Sequence, residues 1–149
     1  MTDKPKIGIS LRVVQAPNYD ETRDALSQDW PSLLEELGFI PVFIPNTLGN
    51  LESFLKEVSL DGLVLSGGDN IGENQDRDET ENKLLMHAID KKIPVVGVCR
   101  GMQLINTYFG GKLSIDDSTI HLTKKHSIEI INGNFSSLFE SSSFHVNTY

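Results

Sequence analysis

Val95-Val96-Gly97-Val98-Cys99-Arg100-Gly101-Met102-Gln103 holds the only cysteine of the chain, set between an apolar strand-forming run and a segment with helical spacing. Its Gly-x-Cys-x-Gly layout is that of a nucleophile elbow. Glycines two residues either side of a nucleophile permit a tight strand-to-helix turn that lifts the side chain out of the sheet edge. At the helix N-terminus, unpaired N–H groups and the positive dipole end favour an anionic sulfur, and Arg100 adds a neighbouring cation. The other reading is a buried structural cysteine, a common fate of an unpaired thiol. The glycines and the strand-to-helix switch favour the elbow.

Working outward, the chain alternates between strand and helix patterns. Lys6 to Leu11 reads as a buried strand, and Glu21 to Leu37 as a helix with Leu26, Trp30, Leu33, Leu34 and Leu37 on one face, closed by Gly38. Phe39 to Ile44 is a second strand, ended by Pro45-Asn46. Asn50 is placed to cap a short helix carrying Leu51, Phe54, Leu55 and Val58. Leu63-Val64-Leu65 is a third strand that runs into the loop Ser66-Gly67-Gly68-Asp69-Asn70, followed by a helix from about Asp78 to Asp90. Pro94 to Val98 is the fourth strand, and its helix, Gly101 to Phe109, stops at Gly110-Gly111. Strands that are apolar throughout, each followed by a helix, predict an open α/β fold with a mostly parallel sheet and helices on both faces. After about residue 112 the texture changes. His126 to Ile131 and Phe144 to Tyr149 read as antiparallel additions around a short Phe135 to Phe139 element.

Composition bounds the function. The 149 residues suit one domain over 1–149, and a single cysteine excludes an internal disulfide, which fits a reducing, cytoplasmic setting. The apolar runs are too short for a membrane span or an export signal. A net charge of −8 argues against nucleic-acid or anionic-membrane partners. No histidine or carboxylate spacing points to a metal.

In an open α/β sheet, ligands bind at the carboxyl ends of the strands, so Ser66-Gly67-Gly68 and Cys99 share one edge. Exposed N–H groups of a glycine pair, with the N–H of Arg100 after the cysteine, have the makings of an oxyanion hole. Taken alone, Ser-Gly-Gly is an ordinary turn; beside the elbow it reads as functional. Glu81 has two open readings as well: a carboxylate that satisfies its helix N-terminus, or a brace beneath the elbow.

Leu65-Ser66-Gly67-Gly68, Arg77-Asp78-x-x-Glu81 and Gly97-Val98-Cys99-Arg100-Gly101-x-Gln103 together resemble the class I glutamine amidotransferase-like superfamily, in its γ-glutamyl hydrolase branch, over essentially the whole chain. The resemblance implies a flavodoxin-like fold, no cofactor, and a small-molecule γ-glutamyl substrate. It also implies that Cys99 attacks the γ-amide carbon to give a thioester, with Gly68 and Arg100 as oxyanion donors and Gly67 and Gln103 at the glutamyl pocket. Transfer of the released ammonia to a synthase partner is a variant that the sequence does not separate from hydrolysis.

A narrower similarity runs through Tyr19-x-Glu21-x-Arg23-Asp24-Ala25-Leu26-x-x-x-Trp30, His121, Lys125-His126 and Val146-Asn147-Thr148-Tyr149. These residues look like the amidotransferase-like hydrolases of bacterial surface-polysaccharide pathways, which include enzymes acting on γ-glutamyl-linked cytidine diphosphate amidate. That similarity implies substrate-binding roles for Arg23, near nucleotide phosphates, and Asn147. An ordinary helix with charged and core faces is the other reading of Arg23, Asp24 and Trp30.

One departure stands out. The resembled enzymes carry a His-x-Glu pair as proton acceptor and orienter, and this sequence contains none. Among His87, His121, His126 and His145, only His145 is a local substitute for the base. The expectation is therefore a chain lacking the C-terminal third of the resembled domain, with exposed strand edges that favour self-association. The rival expectation is a ligand-binding module without catalysis. A flavodoxin-like nucleotide binder is disfavoured, because Ser10 to Asp20 lacks a glycine-rich phosphate loop.

Overall fold

The computed structural model describes residues 3–114, 125–130 and 143–147. They belong to two compact units, Met1–Leu113 and Ser114–Tyr149.

In the first unit, β1 (Lys6–Ser10), β4 (Ile40–Ile44), β5 (Gly62–Leu65) and β6 (Val95–Gly97) form one parallel sheet in the order β4-β1-β5-β6. The connection from β1 leads to one side of it and the connection from β4 to the other. The strand order therefore reverses around β1, and a crevice opens outside the carboxyl ends of β1 and β5. Ile9 and Val64 face each other in register and are buried. The other face carries Ile44, Leu63 and Leu65 against the helices α2 (Leu51–Val58), α3 (Gln75–Lys91) and α4 (Arg100–Tyr108), through Leu51, Leu55, Leu84, Leu85, Ala88 and Leu104. Each such leucine contributes about 1.5–3 kcal/mol by leaving water.

The expected helix from Glu21 to Leu37 divides. Its first part is β3 (Thr22–Ala25), paired antiparallel with β2 (Arg12–Gln15), and only α1 (Asp29–Glu36) is helical. Pro31 explains the boundary: without an N–H, and with a ring that crowds the preceding turn, it suits the first turn of a helix and not its interior. The hairpin closes over residues 16–21, where Ala16 N–H donates to the Glu21 carbonyl at 2.9 Å. Asp24 moors it by accepting from the Asn46 backbone N–H at 2.9 Å and from Asn46 Nδ2 at 2.6 Å. Asn46 Nδ2 donates in turn to the Leu11 carbonyl at 3.0 Å. A carboxylate on a strand is thus used to tie β3 to the end of β4, a role invisible to helical periodicity.

Helix α3 starts one turn earlier than its apolar spacing predicts, because Asn74 caps it through the Arg77 N–H at 2.9 Å. The Asn50 cap on α2 is formed as expected, accepting from Ser53 N–H at 2.9 Å.

In the second unit, β7 (Lys125–Glu129) and β8 (Ser143–Asn147) pair antiparallel, with Ser127 opposite His145. The Phe135 to Phe139 element, His121 and Tyr149 lie outside the described residues. Among the described residues, no helix is long and apolar enough to cross a membrane.

Replacing Asp24 with alanine removes two hydrogen bonds that hold the hairpin to the sheet. The expected outcome is a loss of about 1–3 kcal/mol in urea unfolding, with faster amide exchange confined to residues 12–25.

Candidate active site

Cys99 follows β6 directly and caps α4 with φ 52° and ψ −108°, a conformation that side-chain-bearing residues rarely adopt. The turn is closed on both sides. Val98 N–H donates to the Leu65 carbonyl at 2.9 Å, Gly101 N–H to the Val98 carbonyl at 3.0 Å, and Gln103 N–H to the Cys99 carbonyl at 3.1 Å. A Cβ at Gly97 would lie 2.6 Å from the Gly101 carbonyl carbon, and one at Gly101 would run into the Leu65 backbone. Both glycines of the sequence motif are thus set by close backbone approach, and the cysteine side chain stands exposed.

The Ser66-Gly67-Gly68 loop, which follows β5, is the immediate neighbour of the thiol. A Cβ built on Gly67 would lie 3.3 Å from Cys99 Cβ and 3.9 Å from its Sγ. Gly68 has φ 132°, and a Cβ there would be wedged between Arg77 Nη1 at 2.7 Å and Arg12 Cβ at 2.8 Å.

Arg77, fully buried, sets the direction of this loop. Its Nη2 donates to the carbonyls of Ser66 at 3.1 Å and Gly67 at 3.0 Å, its Nη1 to Asp69 at 2.8 Å, and its Nε to Glu81 at 3.0 Å. In a trans peptide the C=O and the following N–H point opposite ways. With the Gly67 carbonyl drawn to Arg77, the Gly68 N–H is turned away from the guanidinium.

Glu81 is also fully buried. It accepts from Ser10 Oγ at 2.7 Å and forms ion pairs with both Arg77 and Arg100. Ser10 Oγ accepts from Ser66 N–H at 2.9 Å, and Ser66 Oγ donates to the Ser10 carbonyl at 2.7 Å, so the ends of β1 and β5 are stitched together above the ions. Of the two readings of Glu81, the brace describes its surroundings, since it lies in the second turn of α3, past the capping position.

Arg100 departs from expectation. Its side chain is not a free cation beside the thiol: it is buried and paired with Asp78 and Glu81. Burial lowers the Arg77 guanidinium from its ordinary value, opposed chiefly by Asp69. Arg100 is lowered by burial and then by the charge of Arg77, with Asp78 and Asp69 opposing.

A cleft of about 170 Å³ opens beside the loop, lined by Arg12, Leu26, Ser27, Trp30, Ser66, Gly67 and Val98. The structure brings Cys99, Gly67 and Gly68 together, with Gln103 half-buried in the first turn of α4. Arg23 does not line the cleft. It is exposed on β3, paired with Glu21, bonded to the Tyr19 hydroxyl and stacked 5.3 Å from that ring. Asn147 ends β8 in the second unit, and its side chain is outside the described residues. Sequence reasoning missed Arg12, Ser10 and Asp69. Asp69 had a signal, since an acid directly after Ser-Gly-Gly and a downstream arginine can close such a loop.

Glu81→Gln leaves two buried guanidiniums short of one carboxylate. A loss of about 3–5 kcal/mol in chemical denaturation is expected, and a loss below about 1 kcal/mol would mean that Asp69 and Asp78 suffice to hold the pair.

Comparison with known proteins agrees with this geometry. The Peptidase C26 family matches residues 5–149. The chain is 30% identical over 145 residues to the putative glutamine amidotransferase-like protein RP404 of Rickettsia prowazekii, covering 83% of this chain and 51% of that protein. It is 30% identical over 117 residues to the gamma-glutamyl-CDP-amidate hydrolase of Campylobacter jejuni, covering 72% and 57%. Over 80 residues it is 36% identical to the glutamine-hydrolyzing GMP synthase of Bacillus pumilus, covering 54% of this chain and 14% of that one. The chain spans about half the length of the first two of these curated relatives. With the elbow, the glycine loop and the parallel sheet in place, the chain belongs to the Peptidase C26 family, of the class I glutamine amidotransferase-like type.

Proposed function

We propose that Cys99 is the nucleophile of a hydrolase that acts on γ-glutamyl amides. The observation that carries this reading is the placement of the exposed cysteine against Gly67, beside a loop whose Gly68 N–H is turned away from Arg77. The sulfur adds to the amide carbon, and negative charge gathers on the former carbonyl oxygen, where the N–H groups of Gly68 and Arg100 receive it. The C–N bond then breaks, the amine leaves with a proton, and a γ-glutamyl thioester remains. Water cleaves the thioester to glutamate and restores the thiol. Gly67 and Gln103 shape the site for the glutamyl chain.

The relative from Campylobacter jejuni is named for hydrolysis of a γ-glutamyl group on a nucleotide-linked amidate. This supports a nucleotide-linked γ-glutamyl substrate, of the kind used in surface-polysaccharide modification. Similarity to a glutamine-hydrolyzing synthase favours a second reading, in which the released amine is ammonia passed to a synthase partner.

An activated substrate, γ-glutamyl-p-nitroanilide, isolates the nucleophile chemistry because its leaving group needs less proton donation than an alkylamine. Incubation is expected to give a glutamyl adduct on Cys99 by peptide mass mapping. Cys99→Ser should abolish the adduct while leaving the unfolding free energy within about 0.5 kcal/mol of the parent. An adduct elsewhere, or none, would sink the proposal.

A further inference from the structure

The cleft beside Cys99 bears on what else the substrate carries, an inference that rests on the γ-glutamyl reading above. Three arginines surround Gly68 and the elbow. Arg77 and Arg100 are buried and paired with carboxylates. Arg12 is different: it is exposed, and among the described residues no ion pair or hydrogen bond engages its guanidinium. In a chain with 21 acidic and 13 basic side chains, a cation left unpaired beside a reactive centre calls for a reason.

Its position is fixed from below. Arg12 opens β2, and the next residue, Val13, donates its N–H to Asp69 at 3.3 Å, the same carboxylate that Arg77 holds. This mooring lays the Arg12 stem against Gly68 and puts its side chain among the cleft residues, with Trp30 and Leu26 as apolar walls and Ser27 as a hydroxyl. The cleft lies at the carboxyl ends of β1 and β5, where the strand order reverses and parallel sheets take their ligands. At about 170 Å³ it is below the roughly 300–1,000 Å³ of pockets that enclose a whole drug-sized ligand, so it fits one group of a larger molecule.

We infer that this cleft is an oxyanion-recognising subsite, with Arg12 as its cation, and that it takes a carboxylate or phosphoryl group carried close to the scissile amide. A guanidinium presents parallel donors that match either group. The group belongs to one of two sources, the α-carboxylate of the glutamyl half or an anion on the departing amine. Trp30 offers a flat apolar wall to whatever carries it.

Cys99 itself reports occupancy without turnover, through its alkylation by iodoacetamide. Protection would be measured for the parent and for Arg12→Gln with three ligands: γ-glutamylmethylamide, its α-carboxamide, and γ-glutamyl-aminomethylphosphonate. Arg12→Lys, which keeps the charge and loses the fork, serves as the intermediate case. Protection by the anion-bearing ligand is expected to weaken about tenfold or more in Arg12→Gln. Loss confined to the phosphonate assigns the anion to the departing amine. Loss already present with γ-glutamylmethylamide, and absent with the α-carboxamide, assigns it to the glutamyl half. Equal protection in parent and variant, equal weakening for all three ligands, or no protection of the parent would overturn the inference. Because protection requires no bond cleavage, these outcomes are independent of whether a glutamyl adduct forms on Cys99.

Discussion

Two guanidiniums and one carboxylate, all buried, meet behind the site: Arg77, Glu81 and Arg100. Taking such ions out of water costs several kcal/mol each, and a well-packed apolar cluster of equal volume would often be no less stable. Stability alone therefore does not account for them. What an apolar side chain could not do is bond two successive carbonyls, and Arg77 does this at Ser66 and Gly67. Its spacing from Glu81, one helical turn, puts both on one face of α3. The helix thus delivers a preassembled pair to the ends of β1 and β5, where Ser10 and Ser66 complete the hydrogen bonding.

The same cluster reaches the elbow. Cys99 holds a backbone conformation that costs on the order of 1–3 kcal/mol and persists only where its surroundings over-determine it. The residue before it is pinned through Val98 N–H to the Leu65 carbonyl, and the residue after it through the Arg100 side chain to Asp78 and Glu81. Glu81 is therefore the joint between two loops from different strands. Their separation beside the thiol is set by this buried ion cluster, which bonds the glycine loop through Arg77 and the elbow through Arg100.

Legibility in the sequence followed from what kind of force sets each residue. The elbow and its loop were readable because steric exclusion of a Cβ dictates glycine at Gly68, Gly97 and Gly101, and a Cβ on Gly67 would crowd Cys99 at 3.3 Å. The strands of the parallel sheet were readable from unbroken apolar runs, and Asn50 from its capping chemistry. The β2–β3 hairpin was not. Its strands are largely exposed, so they lack the alternation that marks a half-buried strand, and Thr22–Ala25 fell within a helical phase set by Trp30, Leu33 and Leu34. Pro31 carried the correct boundary. Ser10 was missed for a different reason: its partner Glu81 is 71 residues away, and nothing local marks a buried serine as a ligand of an ion.

The hairpin is also where the structure departs most from a bare alternation of strands and helices. It interrupts the path from β1 to α1, and both of its anchors are side-chain carboxylates: Asp69 holds β2 and Asp24 holds β3 to Asn46. Neither anchor draws on the apolar core: Asp69 lies outside the hairpin and holds a backbone N–H, so Asp24 is the hairpin side chain on which its position depends. The parallel sheet and the ion cluster set where Cys99 and Gly68 stand; the hairpin and the start of α1 supply Arg12, Leu26, Ser27 and Trp30 around them. A fold arranged this way separates the geometry of a reacting centre from the chemistry of its rim, since Leu26, Ser27 and Trp30 make none of the contacts that hold the strained turn at Cys99.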